Sequence, residues 1–158
     1  EDLISYRLKN EKLIKCISNK KVRIKEFGYF DLRTFKNKLD GSEHHSISKG
    51  KFTTSKASRV RVISTSVLNN FYNFKNDNFI GSLKYLNKFN NFALILIKGK
   101  NLNPSSNENS KILRYYGIGA QIIKELRLKR MILVSRSIKR VIALDGYGIK
   151  ITKQEIMK

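Results

Sequence analysis

The sequence predicts a mixed α/β domain, with antiparallel strands first and a β-α-β-like unit at the C-terminal end. Three observations predict this class. An alternating apolar pattern, broken by turn residues, runs through KKVRIKEFGYFDLRTFKNKLDGSEHHSISKGK, and a continuous apolar run, FALILI, follows in the middle of the chain. The last third then alternates helical and strand patterns. At 158 residues the chain can bury the core of one domain.

The N-terminal half divides by periodicity. Apolar residues at roughly helical spacing in EDLISYRLKNEKLIKC predict a short amphipathic helix. The alternating segment that follows predicts an antiparallel meander with turns at Gly28, Asp40-Gly41 and Gly50. SRVRVIST predicts another strand, with Val60 and Val62 facing inward, and the Asn-rich NNFYNFKNDNF predicts a loop or an insertion.

The C-terminal half alternates helices and strands. IGSLKYLNKF predicts a short helix, FALILIKG a fully buried strand, and NLNPSSNENS a flexible connection. Four elements are then expected in order: a helix over Ile118–Leu126, a strand over Arg130–Val134, a helix over Ser137–Leu144 and a strand around Gly148–Thr152.

Charge is the outlying property of the composition. Thirty-three Lys and Arg oppose 12 Asp and Glu, a formal net charge of +21. From His44 to Lys124 the only acids are Asp77 and Glu108, against 13 Lys and Arg. So large a positive field attracts polyanions, which means nucleic acid, an anionic membrane surface or an acidic protein. A Lys- and Asn-rich coding bias explains part of this excess, but it does not explain the missing acids.

The sequence offers few metal ligands and no membrane-spanning segment. The single cysteine, Cys16, excludes an intramolecular disulfide and a multi-cysteine zinc site, and the two histidines are the adjacent His44 and His45. No apolar run is long enough to span a bilayer, so no membrane partner is expected. The chain opens with Glu1, which leaves a preceding targeting segment open.

The C-terminal third carries a family resemblance. LRYYGIGAQII (residues 113–123) and ALDGYGI (residues 143–149) resemble the LRDYGIGAQIL and GLEGYGLEV stretches of GTP cyclohydrolase II. KLDGSEH (residues 38–44) resembles the family's KLDGREH, and VRVIST and IGSLKY resemble the flanks of its zinc motif. The opening residues are similar to the hinge helix of bifunctional riboflavin enzymes. The resemblance therefore implies a hinge-like N-terminal helix at 1–18 and a degenerate GTP cyclohydrolase II-like domain at 19–158.

The resemblance also implies that the zinc site is lost. The family opens the imidazole ring of GTP with a zinc-activated water, and three cysteines in HSECLTGDVFGSLRCDCG hold the metal. In the natural register their positions are Ser66, Tyr85 and Asn87. None of these side chains replaces a thiolate on zinc. We therefore expect no cofactor, no catalytic residue and no GTP cyclohydrolase activity.

The resemblance allows a vestige of the nucleotide site. The family's RQEGRGIG loop has no match after FALILI, and the connection over 99–111 is shortened or partly missing. Ser135 and Arg140 stand where the family contacts the nucleotide, and Arg61 is retained ahead of the lost zinc motif. These three residues form a candidate vestigial nucleotide pocket.

The basic residues indicate contact with structured RNA. KELRLKRMILVSRSIKR holds seven cations opposed only by Glu125, with Ile122, Ile123 and Leu126 free to bury on the other side of a helix. No sequence-reading motif is present, so shape-based contact is expected, although Phe71, Tyr72, Phe74 and Phe79 offer stacking or packing surfaces. The candidate RNA-binding residues are Arg59, Arg61, Lys84, Lys98, Lys100, Arg114, Lys124, Arg127, Lys129, Arg130, Arg136, Lys139 and Arg140.

Two functional hypotheses follow. The leading one is a former enzyme recruited as a structural component of an organellar ribosome, imported into the mitochondrion or, as second choice, a plastid-type organelle. Its partners are rRNA and neighbouring ribosomal proteins. The alternative is a pseudoenzyme that partners or regulates an active GTP cyclohydrolase II in riboflavin synthesis, with a homodimer possible because family members dimerise. An active hydrolase with rearranged ligands is the third and predicts a bound metal.

Overall fold

The computed structural model describes residues 11–66, 77–99, 108–137 and 147–157. Seven strands and two helices lie in these ranges. They are β1 (Ile14–Ile24), β2 (Gly28–Asn37), β3 (Glu43–Lys49), β4 (Ser58–Ser66), α1 (Asp77–Leu86), β5 (Phe92–Gly99), α2 (Glu108–Glu125), β6 (Arg130–Ser135) and β7 (Lys150–Ile156).

All seven strands form one mixed sheet in the order β1-β2-β3-β5-β4-β6-β7. The first half is antiparallel, since β1 pairs with β2, β2 with β3, and β3 with β5 in that sense. The second half is parallel, from β5 through β4 and β6 to β7. The predicted mixed α/β class and the antiparallel meander are confirmed. The parallel pair β6–β7 fits the predicted β-α-β-like unit. Its predicted helix, Ser137–Leu144, lies outside the described ranges except for Ser137.

The core has two layers, one on each face of β5. All side chains from Phe92 to Ile97 are buried, as the continuous apolar run predicted. Alternation along the strand directs Phe92, Leu94 and Leu96 into the cluster that contains the α1 residues Phe79, Leu83 and Leu86. The intervening Ala93, Ile95 and Ile97 join the α2 residues Ala120, Ile122 and Ile123 on the other face. The helices therefore sandwich the sheet.

Helix α2 confirms the predicted amphipathic face and corrects the predicted start. Ile122, Ile123 and Leu126 are buried, while Lys124 and Arg127 are exposed. The helix begins at Glu108, ten residues before the expected Ile118, so part of the expected flexible connection is helical. The carboxylate of Glu108 in the first turn suits the positive end of the helix dipole, and good helix formers at Lys111, Leu113 and Arg114 follow it.

The predicted N-terminal helix over 1–18 is wrong where it can be compared. Residues 1–10 lie outside the described part of the chain, but β1 begins at Ile14, so the boundary at residue 18 falls inside a strand. Antiparallel pairing with β2 begins at Ile14↔Asn37, and the side chain of Gln121 adds to it. Its Oε1 accepts hydrogen bonds from the backbone N–H groups of Leu13 (2.9 Å) and Ile14 (3.0 Å), which fixes this stretch against α2. A contact that distant overrides local helical periodicity.

The last strand is also longer than predicted. Strand β7 covers Lys150–Ile156 instead of Gly148–Thr152, because its pairing with β6 continues to Ser135↔Ile156. Gly148, at φ 74°, lies in the turn before the strand. Neither described helix is long and apolar enough to cross a membrane.

Candidate functional site

Tyr85, one of the three lost ligand positions, belongs to a hydrogen-bonded network. It lies in the last turn of α1, and its hydroxyl donates to the Glu155 carboxylate on β7. The same carboxylate accepts two hydrogen bonds from Arg59, Nε–Oε1 at 3.0 Å and Nη2–Oε2 at 3.2 Å. The Arg59 guanidinium in turn stacks 3.5 Å from the ring centroid of Phe89. These partners fix the Tyr85 side chain toward β7.

The hydrogen bonds of this network shift the pKa values of Glu155 and Tyr85. Hydrogen bonds from Arg59, and then from Tyr85, lower the pKa of Glu155 below its ordinary value. Burial, followed by the hydrogen bond to Glu155, raises the pKa of Tyr85. The carboxylate is therefore ionised at neutral pH and Tyr85 remains a neutral donor, which is a structural role and not that of a metal ligand.

Asn87, the second lost position, has partners toward the other edge of the sheet. Its Nδ2 donates to the carbonyl of Phe27 (3.2 Å) in the β1–β2 turn, and its Oδ1 accepts from Lys49 Nζ (3.4 Å) at the end of β3. Strands β3 and β7 are four places apart in the sheet, roughly 19 Å at ~4.8 Å per strand. The Tyr85 and Asn87 side chains therefore bind partners on strands that are far apart in the sheet.

Ser66, the third position, is the last residue of β4 and pairs with Gly99 of β5. Its side chain is outside the described part. Across residues 11–66, 77–99, 108–137 and 147–157, no three His, Cys, Asp or Glu side chains lie together in a way that could hold a metal ion. The donor set does not fit the zinc of the family, since a zinc site needs several nitrogen, sulfur or carboxylate ligands within bonding distance of one point.

The vestigial nucleotide pocket is only partly described. Arg61 is 6% exposed, and its guanidinium donates to Ser82 Oγ (2.6 Å), Asn78 Oδ1 (3.0 Å) and the Val134 carbonyl (3.5 Å). Ser135 is buried and donates to the Ser137 carbonyl (2.6 Å). Arg140 lies outside the described residues. Burial of Arg61 contradicts its assignment as an RNA-contacting residue, because a phosphate backbone cannot reach it.

The other candidate RNA-binding residues differ in accessibility. Arg59 is half-buried and neutralised by Glu155, so its charge is not free for phosphate. Lys98 is half-buried and Lys84 is exposed. Arg114 lies within α2, where its side chain is not described, and Lys100 and Lys139 are outside the described ranges. The exposed members of the C-terminal group are Lys124, Arg127, Lys129, Arg130 and Arg136.

The cationic segment KELRLKRMILVSRSIKR is continuous in sequence, but strand β6 separates its charged side chains in space. Arg130 begins this strand and Arg136 follows its last residue, which places them roughly 20 Å apart at ~3.3 Å per residue. The side chains of Leu133 and Val134 between them are buried. Sequence analysis also missed Lys150, the register partner of Arg130 on β7, because this proximity depends on the parallel pairing of the two strands.

Two further groups have structural explanations. Phe79 is 2% exposed and packs in the core, so it offers no stacking surface; Phe71, Tyr72 and Phe74 lie outside the described residues.

Burial lowers the pKa of His44 and that of His45 to about 4. His44 Nδ1 accepts from the Lys98 N–H (3.1 Å), which places its proton on Nε2 beside Ser42 Oγ (2.9 Å).

Fold and site together define an α/β domain whose seven-stranded mixed sheet lies between two helices. Two of its three candidate metal positions, Tyr85 and Asn87, hold side chains engaged in hydrogen bonds. Residues 80–155 match the family model of GTP cyclohydrolase II. This match supports the resemblance to GTP cyclohydrolase II that the sequence predicted.

Similarity to curated proteins extends along almost the whole chain. The riboflavin biosynthesis protein RibBA of Aquifex aeolicus is 25% identical, over 99% of this chain and 45% of its own length. A 3,4-dihydroxy-2-butanone 4-phosphate synthase of Photobacterium phosphoreum is 27% identical, over 96% of this chain and 46% of its own length. A protein of Arabidopsis thaliana named monofunctional riboflavin biosynthesis protein RIBA 2, chloroplastic, is 27% identical over 96% of this chain and 36% of its own length. The chain thus spans about half the length of these relatives, or less.

A solved structure has the same fold. It is RibBX, a two-domain 3,4-dihydroxy-2-butanone 4-phosphate synthase from A. baumannii, with a TM-score of 0.71, 24% identity and coverage of 97% of this chain and 43% of the other. This likeness shows that the two proteins share a fold over almost the whole of this chain.

Proposed function

We propose that this chain is a non-catalytic domain of a riboflavin-biosynthesis protein, and that it acts by binding a partner instead of opening GTP. The observation that carries the proposal is the state of two predicted zinc positions, where Tyr85 is hydrogen-bonded to Glu155 on β7 and Asn87 to Lys49 on β3. Family chemistry needs a metal-activated water, with the metal held by thiolates at these positions. A phenol and an amide engaged in other hydrogen bonds do not replace two thiolates on zinc.

The names of two relatives support this proposal. Both the synthase of Photobacterium phosphoreum and the monofunctional protein of Arabidopsis thaliana align with at least 96% of this chain. Neither name mentions GTP cyclohydrolase activity. A domain of this kind therefore accompanies proteins that are named for another activity or for a single one, which agrees with a binding role.

The proposed partner is an active GTP cyclohydrolase II, which this domain pairs with or regulates. The test mixes the purified chain with a GTP cyclohydrolase II that retains its three cysteines. The expected result is a mixed complex in size-exclusion chromatography and a changed rate of GTP consumption by the active enzyme. Separate elution with an unchanged rate would reject the partnership, and GTP consumption by this chain alone would reject the non-catalytic role.

A second candidate function is a structural RNA-binding role in an organellar ribosome, first in the mitochondrion and otherwise in a plastid-type organelle. The observation that favours it is the group of exposed cations around the start of β6, in a chain of net charge +21. Sedimentation of the native protein from gently lysed cells, with and without ribonuclease, tests it. Migration with a large ribonuclease-sensitive particle is expected. A small species that is indifferent to ribonuclease would reject the ribosomal role.

A further inference from the structure

One end of the domain collects cations from three elements. Lys124 lies in the last turn of α2, Arg127 and Lys129 lie in the link to β6, Arg130 begins β6, and Lys150 begins β7. Pairing of the parallel strands brings them together, since Arg130 and Lys150 are register partners and the Lys150 N–H donates to the Lys129 carbonyl (2.8 Å). All five side chains are exposed. We call this surface, made of Lys124, Arg127, Lys129, Arg130 and Lys150, the basic end.

The charges of the basic end are not compensated locally. Glu125 is the neighbouring acid, and it forms an ion pair with Lys12 (3.0 Å). The remaining ion pairs of the described ranges join Lys21 to Asp31, and Arg59 and Lys153 to Glu155. Within those ranges, none of the five cations therefore has an acidic partner. Their mutual repulsion opposes folding, and a bound polyanion would relieve it.

Arg127 occupies a position where the backbone favours glycine. It ends α2 in the left-handed conformation, with φ 63°. The Arg127 N–H donates to the Lys124 carbonyl (2.9 Å) and the Leu128 N–H to the Ile123 carbonyl (3.2 Å), which is the pair of bonds that define a Schellman helix terminus. Glycine is preferred at this residue because a Cβ is strained there. An arginine at this position is consistent with a use for its side chain beyond ending the helix.

Helix stabilisation explains only part of the arrangement. Cations near the C-terminus of α2 interact favourably with its dipole, which accounts for Lys124. That effect falls off beyond the last turn, so it does not account for Arg130 and Lys150, which begin strands. The cations at the strand ends need another explanation, and a common ligand supplies one.

The chemistry of the surface selects phosphates. The apolar residues of the same segment, Leu126, Leu128 and Met131, are all buried, so the described surface offers neither a ring for base stacking nor an apolar group for membrane insertion. Paired strands hold Arg130 and Lys150 about 5 Å apart, a fixed spacing suited to a rigid row of phosphates. Backbone contact without base contact gives binding that is insensitive to sequence.

We propose that the basic end binds the phosphate backbone of double-helical RNA and recognises its shape, not its sequence. This proposal rests on the second candidate function, RNA binding, and gives it a location. A-form RNA presents regular phosphate rows, and proteins that bind it read shape in this way. Arg136, at the far end of β6, is not part of this site.

The test measures binding of the 158-residue chain to two short RNA duplexes of unrelated sequence by fluorescence anisotropy across a salt series. Replacing Arg130 and Lys150 by Gln is compared with replacing Lys20 and Arg23 by Gln. The latter pair is also exposed, lies on the edge strand β1, five places from β6 in the sheet, and removes the same charge. The first pair is expected to weaken binding to both duplexes on the order of tenfold and to make the salt slope shallower by about two. The second pair is expected to leave the slope unchanged.

Arg127 provides a check that is independent of folding. Arg127→Gly is expected to weaken binding without lowering the thermal midpoint, and Arg127→Lys to retain binding. Equal weakening by both Gln pairs would overturn the basic end as the site while leaving RNA binding in place. Absence of binding at low salt would overturn RNA binding itself. Equally tight, Arg130- and Lys150-dependent binding to phosphatidylserine vesicles would overturn RNA as the partner.

Discussion

Arg59 on β4 and Glu155 on β7 form a two-point ion pair that reaches across the intervening strand β6, with N–O distances of 3.0 and 3.2 Å. Tyr85 of α1 donates to the same carboxylate, so the pair joins the C-terminal strand to both β4 and the first helix. In the register predicted from the sequence, Tyr85 stands where the family places a zinc thiolate. A hydrogen-bonded connection between elements thus takes the place of one metal ligand.

Loss of this connection should destabilise the fold. Glu155→Gln removes the charge that holds Arg59 and Tyr85, whose side chains are too enclosed to recover full hydration. We expect a loss of about 2 kcal/mol in the free energy of unfolding, measured by urea denaturation. Lys153→Gln is the matched control, because Lys153 lies 3.9 Å from the same carboxylate and its side chain is 64% exposed. It should change the free energy of unfolding by under about 0.5 kcal/mol; equal losses in the two variants would contradict the role of the Arg59–Glu155 pair.

The buried histidines should make the free energy of unfolding decrease as the pH falls from 6.5 toward 4. Burial lowers the pKa of His44 and that of His45 from 6.5 to about 4, so between these values the unfolded chain binds more protons than the folded one. Stability is therefore full above pH 6.5 and falls as the pH drops toward 4, by up to roughly 3 kcal/mol per histidine. Urea midpoints measured through this window test the direction.

The contribution of Glu155 to the free energy of unfolding is lost at a lower pH than that of the histidines. Its folded pKa is depressed, so its stabilisation is present above its unfolded pKa of about 4.3 and is lost as the pH falls below that value. Between about pH 6.5 and 5, His44→Gln should flatten the pH dependence and Glu155→Gln should not. A steeper dependence in the His44→Gln variant would contradict the neutral state of His44.

Replacing Arg127 at the helix terminus by glycine should stabilise the fold. Arg127→Gly removes the strain of a side chain at φ 63° while the two terminal hydrogen bonds remain. We expect the free energy of unfolding to rise by up to about 1 kcal/mol. Lys124→Gly is the control for the lost positive charge, because it places glycine inside the helix and should lower the free energy of unfolding by about 1 kcal/mol. A loss at both positions would argue against the left-handed geometry of Arg127.

Restoring the three cysteines should not restore the metal site. In the variant with Ser66→Cys, Tyr85→Cys and Asn87→Cys, the new thiols have cations as neighbours, Arg59 beside position 85 and Lys49 beside position 87, and these oppose a divalent metal ion. A tetrahedral site requires every sulfur within about 2.3 Å of the same zinc ion. We expect no stoichiometric zinc in the purified variant by elemental analysis, with an active GTP cyclohydrolase II as positive control. One tightly held zinc per chain would show that the two positions can converge.

The sequence predicted the elements whose pattern is set locally. Alternation between Val22 and Ile47 corresponds to real antiparallel strands, and the apolar run from Phe92 to Ile97 is the buried centre of the sheet. The N-terminal periodicity misled, because antiparallel pairing with β2 from Ile14↔Asn37, together with the hydrogen bond between Ile14 and Gln121, outweighs the local helical preference.

The site depends on contacts that no local pattern contains. Tyr85 and Glu155 are separated by 70 residues, and Arg130 meets Lys150 only through strand pairing. Substitution of the cysteines was visible in the sequence, whereas the use now made of those positions was not. Arg61 was predicted from the sequence to contact RNA at the surface. In the structure it is enclosed by Ser82, Asn78 and Val134.

The most direct test of the non-catalytic proposal is GTP consumption by the purified 158-residue chain in the presence of excess zinc, beside an active GTP cyclohydrolase II. We predict no consumption above the protein-free rate and no zinc-dependent rise in the thermal midpoint. Turnover that follows the amount of bound zinc would contradict the proposal and would require a metal site formed by other residues.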